Sequence, residues 1–130
     1  MYKMVKATQK AKIAARKAIE KTYNGIAIIS EYQKVKDEKT GLTNSQPVIV
    51  LENQPCKLSF ERLQEAMQGQ SASAVKQIVK LFIAPEITIK AGSKITVTQS
   101  GITTDYTYSG IPAVYDTHQE IILSLFEKWG

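Results

Sequence analysis

Between residues 85 and 108 the chain alternates apolar and polar side chains at a period of two. Ile87-Thr88-Ile89-Lys90 alternates, Ala91-Gly92-Ser93 reads as a turn, and Ile95-Thr96-Val97-Thr98 alternates again. Gln99-Ser100-Gly101 is a second turn, and a run rich in Thr and Tyr follows to Tyr108. β-branched and aromatic residues in this rhythm, punctuated by glycine, predict a three-stranded antiparallel meander. Further strands are expected at 26–36, 48–51, 56–60 and 77–83, with Asp37 to Gly41 as a charged hairpin loop. Pro47 and Pro55 should punctuate the ends of the 48–51 strand. The fold class is therefore mainly β, a small antiparallel barrel or sandwich.

Two stretches depart from that rhythm. Residues 1–21 contain five alanines and no Gly or Pro, and Met4, Ala7, Ala11, Ala14, Ala15, Ala18 and Ile19 fall near one helical face. An alanine face buries little, so this helix needs another surface or a neighbouring subunit to hold it. Thr22-Tyr23-Asn24-Gly25 should end it, with Gly25 as a left-handed cap. Residues 61–75 begin like one or two helical turns and dissolve into Gly69-Gln70-Ser71-Ala72-Ser73-Ala74, a long polar insertion of the kind that is either functional or disordered. From His118 to Trp129 the pattern fits a helical stripe (Ile121, Ile122, Leu125, Phe126, Trp129) slightly better than a strand with Ile121, Leu123 and Leu125 facing in.

Composition adds little until the charge is located. At 130 residues, 43% hydrophobic and 22% charged, one ordinary globular domain is expected. The net charge is +5. Lys3, Lys6, Lys10, Lys12, Arg16, Lys17 and Lys21 stand against Glu20 alone in the first 22 residues, a net of +6; the remainder, with ten basic and eleven acidic groups, has a net of −1. The sequence thus divides into a basic helix or arm at 1–22 and a β domain at 23–130. Such an arm suits phosphate, an anionic surface or an acidic protein, or it is simply a solvated helix face. No apolar run approaches the roughly 20 residues that span a bilayer, and the basic start lacks the apolar stretch of a signal peptide, so neither membrane insertion nor export is expected.

The sequence shows no catalytic or cofactor-binding motif: GxxxxGK[ST], GxGxxG, HExxH, CxxC and GxSxG are absent. Cys56, the single cysteine, reads as a small buried hydrophobe, and with His118 supplies too few ligands for zinc. His118 between Asp116 and Glu120 invites an acid–base or metal reading, but a hydrogen-bonded structural histidine is the plainer one. The expectation is a non-enzyme without cofactor or metal. Tyr106, Tyr108 and Tyr115 could stack bases as in an OB-like module; with Arg62 the one arginine of a slightly acidic β body, barrel packing is the better reading.

Three segments together carry a resemblance: LENQPCKLSF (51–60), KLFIAPEITIKAGSKITVTQSG (80–101) and YSGIPAVYDTHQEIILSLFEKW (108–129). From Tyr23 onward the chain resembles small neck proteins of tailed bacteriophages and prophages of Gram-positive hosts, known as minor capsid, head–tail joining or head-closure (stopper) proteins. The resemblance implies a small β-barrel with a long inserted loop (61–75) and a final segment that is a strand. It implies a homo-oligomeric ring of six or twelve subunits in the virion neck, made in the host cytoplasm, between portal or adaptor and tail-terminator proteins. The loop, with Gln64, Gln68, Gly69, Gln70, Ser71 and Ser73, would gate the channel and retain packaged double-stranded DNA. The arm cations would meet DNA or an acidic ring, and Ile122, Phe126 and Trp129 a neighbouring subunit. Rival readings are a tail-completion protein of the same neck and a monomeric nucleic-acid-binding barrel; an adaptor would be mostly helical.

Overall fold

The computed structural model describes residues 2–65 and 74–129. After helix α1 (Tyr2–Glu20) come β1 (Gly25–Lys36), β2 (Thr43–Glu65), β3 (Ala74–Ile83), β4 (Lys94–Gln99), β5 (Ile102–Thr107), β6 (Ala113–Val114) and β7 (Gln119–Leu125). All pairings are antiparallel. The order is β3-β2-β1-β4-β5-β7-β6, and a further β3–β7 ladder closes the sheet into a ring. Closure removes the exposed sheet edges that an open sheet would leave. β6 continues the line of β5 along β7 after an interruption at Ser109-Gly110-Ile111-Pro112.

The core is what alternate positions of each strand send inward. Ala27 and Ile29, Cys56 and Leu58, Leu81 and Ile83, Ile95 and Val97, Tyr106 and Tyr108, and Ile121 and Leu123 form one buried cluster, joined by Ile89. The tail is thus a strand, with Ile121 and Leu123 inward; Leu125, expected inward, is 66% exposed because it lies past the end of the β3 ladder.

Three expectations need correction. The separate strands at 48–51 and 56–60 are parts of the single strand β2, which runs through Pro47 and Pro55. Its first half pairs with β1 and its second with β3, so each half has a free edge where a proline withholds no ladder hydrogen bond. The join is bent: the register slips twice between Ala27 and Ser30, and Asn53 takes a left-handed conformation (φ 57°). Secondly, 87–90 is no strand, so the meander is a two-stranded hairpin, β4–β5. Residues 84–93 instead form a strap between β3 and β4, which are not neighbours, with Ile89 plugged into the core. The strap's carbonyls are met by side chains: Gln119 Nε2 donates to Ala84 O (2.8 Å) and Ile87 O, and the Tyr108 hydroxyl to Ile89 O. Thirdly, Gly25 is no helix cap. It opens β1 where a Cβ would meet Cys56 O and Gln99 Oε1 at 3.1 Å, so the close approach between β2 and β4 favours glycine there.

Candidate functional site

Two hairpins outrun the barrel. β4 accompanies β1 only as far as Ser30, so residues 31–50 form a ribbon held by the β1–β2 ladder alone. None of them is buried, and Tyr32, Leu42, Ile49 and Val50 are exposed. Its tip is the expected charged turn: Asp37 N donates to Leu42 O, Gly41 N to Asp37 O, and Gly41 has φ 72°. At the opposite end of β2, β7 reaches β3 only from Val79 to Ile83. There 61–65 pairs with 74–78 as a second ribbon. The insertion expected over 61–75 therefore starts later: Glu61, Arg62, Leu63, Gln64 and Glu65 are strand, because each finds a partner on β3. Gln64 sits in that ladder opposite Val75, whereas Gln68, Gly69, Gln70, Ser71 and Ser73 lie outside the described residues.

Where β1 begins, it leaves a gap between Leu58 of β2 and the β4–β5 turn. Gln99 spans it: Leu58 N donates to Gln99 Oε1 (2.8 Å) and Gln99 Nε2 to Leu58 O (3.2 Å), so one side-chain amide completes the wall as a strand residue would. Phe60 and Ile102 are exposed beside it.

The proposed interface residues divide between two surfaces. Phe126 and Trp129 come together edge to face (4.8 Å between ring centres), Trp129 stacks on Tyr32 of the first ribbon (5.3 Å), and Lys94 Nζ lies over the Phe126 ring. The tail thereby buttresses the base of that ribbon. Ile122, 61% exposed, lines a different recess with Tyr108, Ser109, Gly110 and Ile111, and Ile111 is almost fully exposed.

Of the described side chains of helix α1, residues 8–15 are all exposed, and Ala18 and half-buried Ile19 line a recess with Phe82 and His118. Ion pairs tie the helix down. Lys12 Nζ meets Asp116 Oδ2 at 3.0 Å, and Arg16 reaches Glu86 on the strap (2.6 Å) and its own Glu20 (3.3 Å). The hydrogen bond from Arg16 holds the Glu86 carboxyl below its ordinary range, and the same bond raises the guanidinium. Lys10, Lys17 and Lys21 are exposed, and nothing is stated of the side chains of Lys3 and Lys6, which lie on the helix backbone.

The candidate chemistry resolves into packing. Burial drives the Cys56 thiol up to about 12, which leaves it unreactive. His118 sits between Tyr115 (stacked, 5.1 Å) and Phe82 (edge-on, 5.6 Å). Its Nδ1 shares a hydrogen bond with Thr117 Oγ1, and its Nε2 one with Glu120 Oε2, each 2.9 Å. Lys80 extends this network from Glu120 to Glu61. Among the described residues no His, Cys, Asp or Glu cluster could hold a metal ion, and no helix is long and apolar enough to cross a membrane. Tyr106 and Tyr108 are core residues, which removes them as a base-stacking platform. The amides of Gln99 and Gln119 carried no signal of their function in the sequence, since each lies in a polar turn or strand end and acts on a distant carbonyl.

No family model matches the chain, and no curated protein matches it. Among solved structures it is similar to the phage-like element PBSX protein xkdH from Bacillus Subtilus, at 11% identity and a TM-score of 0.46, over 77% of this chain and 91% of that one.

Proposed function

We propose that this protein is a non-enzymatic structural component of a tailed-phage particle, a head-closure protein of the neck that assembles as a homo-oligomeric ring between portal or adaptor and tail. The observation that carries this reading is the pair of single-ladder ribbons at opposite ends of β2. An isolated two-stranded ribbon is at best marginally stable in water. The first ribbon, which presents Tyr32, Leu42, Ile49 and Val50 to solvent, is therefore suited to being covered by a neighbouring subunit. The likeness of segments 51–60, 80–101 and 108–129 to neck proteins supplies the biological setting.

In this reading the barrel is the rigid hub of each subunit. The 31–50 ribbon, with Phe126 and Trp129 at its base, meets an adjacent subunit or ring; the ribbon of 61–65 and 74–78 faces the channel and the DNA. The basic helix faces an anionic neighbour. Electron microscopy of the purified protein and immunolocalisation on particles test the proposal. Rings in solution, or in the neck of particles, are expected; a strictly monomeric protein absent from virions overturns it. Deleting 68–73 should let packaged DNA leak from tailless heads, and full retention counts against the gate.

A further inference from the structure

The cations of α1 are divided between two faces. At 100° per residue, Lys12 and Arg16 lie about 40° apart on one side of the helix. That side meets the barrel, through Asp116 and Glu86. Lys10, Lys17 and Lys21 fall within about 40° of one another on another side. All three are exposed, and Lys21 keeps helical geometry through its N–H bond to Lys17 O. The same stripe continues back through positions 3 and 6 of the helix backbone. Glu20, the one acid in this part of the chain, is drawn away to Arg16. Lys12 and Arg16 thus latch the helix down, while Lys10, Lys17 and Lys21 form an exposed ridge.

We propose that this ridge binds the phosphate backbone of duplex DNA without reading sequence. Three features of the ridge select that partner. Steps between successive stripe positions are about 4.5 to 10 Å along the axis at 1.5 Å per residue, a spacing that can follow one strand of phosphates. Every position on it is lysine, a compact point charge, and none is the forked arginine that reads guanine edges. Among the described side chains the one large apolar residue beside the stripe, Ile13, stands singly, without the cluster of anchors that centres a protein–protein contact. The latch contributes by presenting the lysines on a fixed helix. This deepens the connector reading by choosing DNA over an acidic protein as what the arm meets, and its test is made in solution, independent of ring formation.

The test is fluorescence anisotropy of a short labelled duplex of arbitrary sequence with the full chain between 50 and 200 mM salt. The wild-type protein should bind, more weakly as salt rises. K10E/K17E/K21E should lower affinity more than tenfold and flatten the log–log salt slope by about 2.7, at about 0.9 per phosphate contact. K34E/K36E/K39E, an equal change of charge on the first ribbon, should cost less than threefold, and matching circular dichroism melts exclude unfolding. Equal losses in both variants, or no duplex binding, overturn the proposal. So does displacement of the duplex by polyglutamate as effectively as by unlabelled duplex, since the ridge would then fit an acidic protein equally well. Rings without duplex binding would sink the ridge alone; duplex binding by a protein that never forms rings would sink the connector reading alone.

Discussion

The barrel and its two ribbons are made from the same strands, yet they are held by different physics. Within the barrel the strands close on one another through the β3–β7 ladder, and the inward residues Leu81, Ile83, Ile95 and Val97 have no exposed surface. Past Ser30, β1 and the β2 residues opposite it keep one ladder and bury nothing, and past Phe60 β2 keeps only its ladder with β3. A hydrogen bond exchanged with water contributes about 1 kcal/mol net, whereas burying a large aliphatic side chain contributes about 1.5–3 kcal/mol. The barrel can therefore stand alone and the ribbons cannot add much to its stability. Stability and outreach are assigned to different lengths of the same chain.

The sharpest way to break that contrast is to truncate one apolar residue in each region. Leu81→Ala should cost about 2–5 kcal/mol in urea unfolding, and Leu42→Ala at the ribbon tip less than about 0.5 kcal/mol. Equal costs would mean that the ribbon is part of the folding unit. Next is Gln119→Ala, which strands the carbonyl of Ile87, leaves that of Ala84 with only the Ile87 N–H (3.3 Å), and lets the strap lift; a loss of about 2 kcal/mol is expected by the same measurement. Gln99→Ala should cost about 1–2 kcal/mol, by leaving both backbone groups of Leu58 unpaired at the gap in the wall. A neutral Gln99→Ala would show that water closes the gap as well as the amide does.

The smallest effect belongs to the helix latch. Glu86 has its pKa depressed by Arg16, so the contact is present above the ordinary carboxyl value of 4.5 and is lost as pH falls through the depressed folded value. Both partners are solvent-exposed enough that global stability should barely move. What should change is the freedom of the helix. A spin label at Ala11→Cys, selective because Cys56 is buried and its thiol does not ionise at neutral pH, should become more mobile in E86Q/D116N at neutral pH. The wild-type label should show the same mobility only below pH 4.5. An immobile label in both cases would mean that something other than these pairs seats the helix.

Much of the barrel was legible because alternation is a local property. The β3, β4 and β5 strands, the 37–41 turn and the burial of Cys56 follow from residues read within a few positions of themselves. The basic helix was legible for the same reason. What escaped was set by distant partners. Pro47 and Pro55 look like strand ends until it is known that each half of β2 has a free edge. Ile87-Thr88-Ile89-Lys90 has a strand's rhythm, but Gln119 and Tyr108 supply its hydrogen bonds from elsewhere in the chain. Residues 61–65 have poor strand composition and are strand because β3 runs beside them. The tail's period slightly favoured a helix, which the β3–β7 ladder overturns; the resemblance to neck proteins pointed to the strand. In the surface assigned to a neighbouring subunit, Phe126 packs on Trp129 and Trp129 stacks on Tyr32, a residue no periodicity linked to them.

The continuity of β2 has a mechanical consequence. One unbroken length of backbone leads from the tip of the first ribbon, through the barrel wall, to the root of the second. A pull on either tip is carried along the strand axis and so loads the flanking ladders in shear, many hydrogen bonds at once, instead of peeling them one by one. On that line the β1–β2 register slips twice around Asn53, where a left-handed residue bends the strand. Tension applied at one end of the molecule would thus reach the other through a cable with one kink in it.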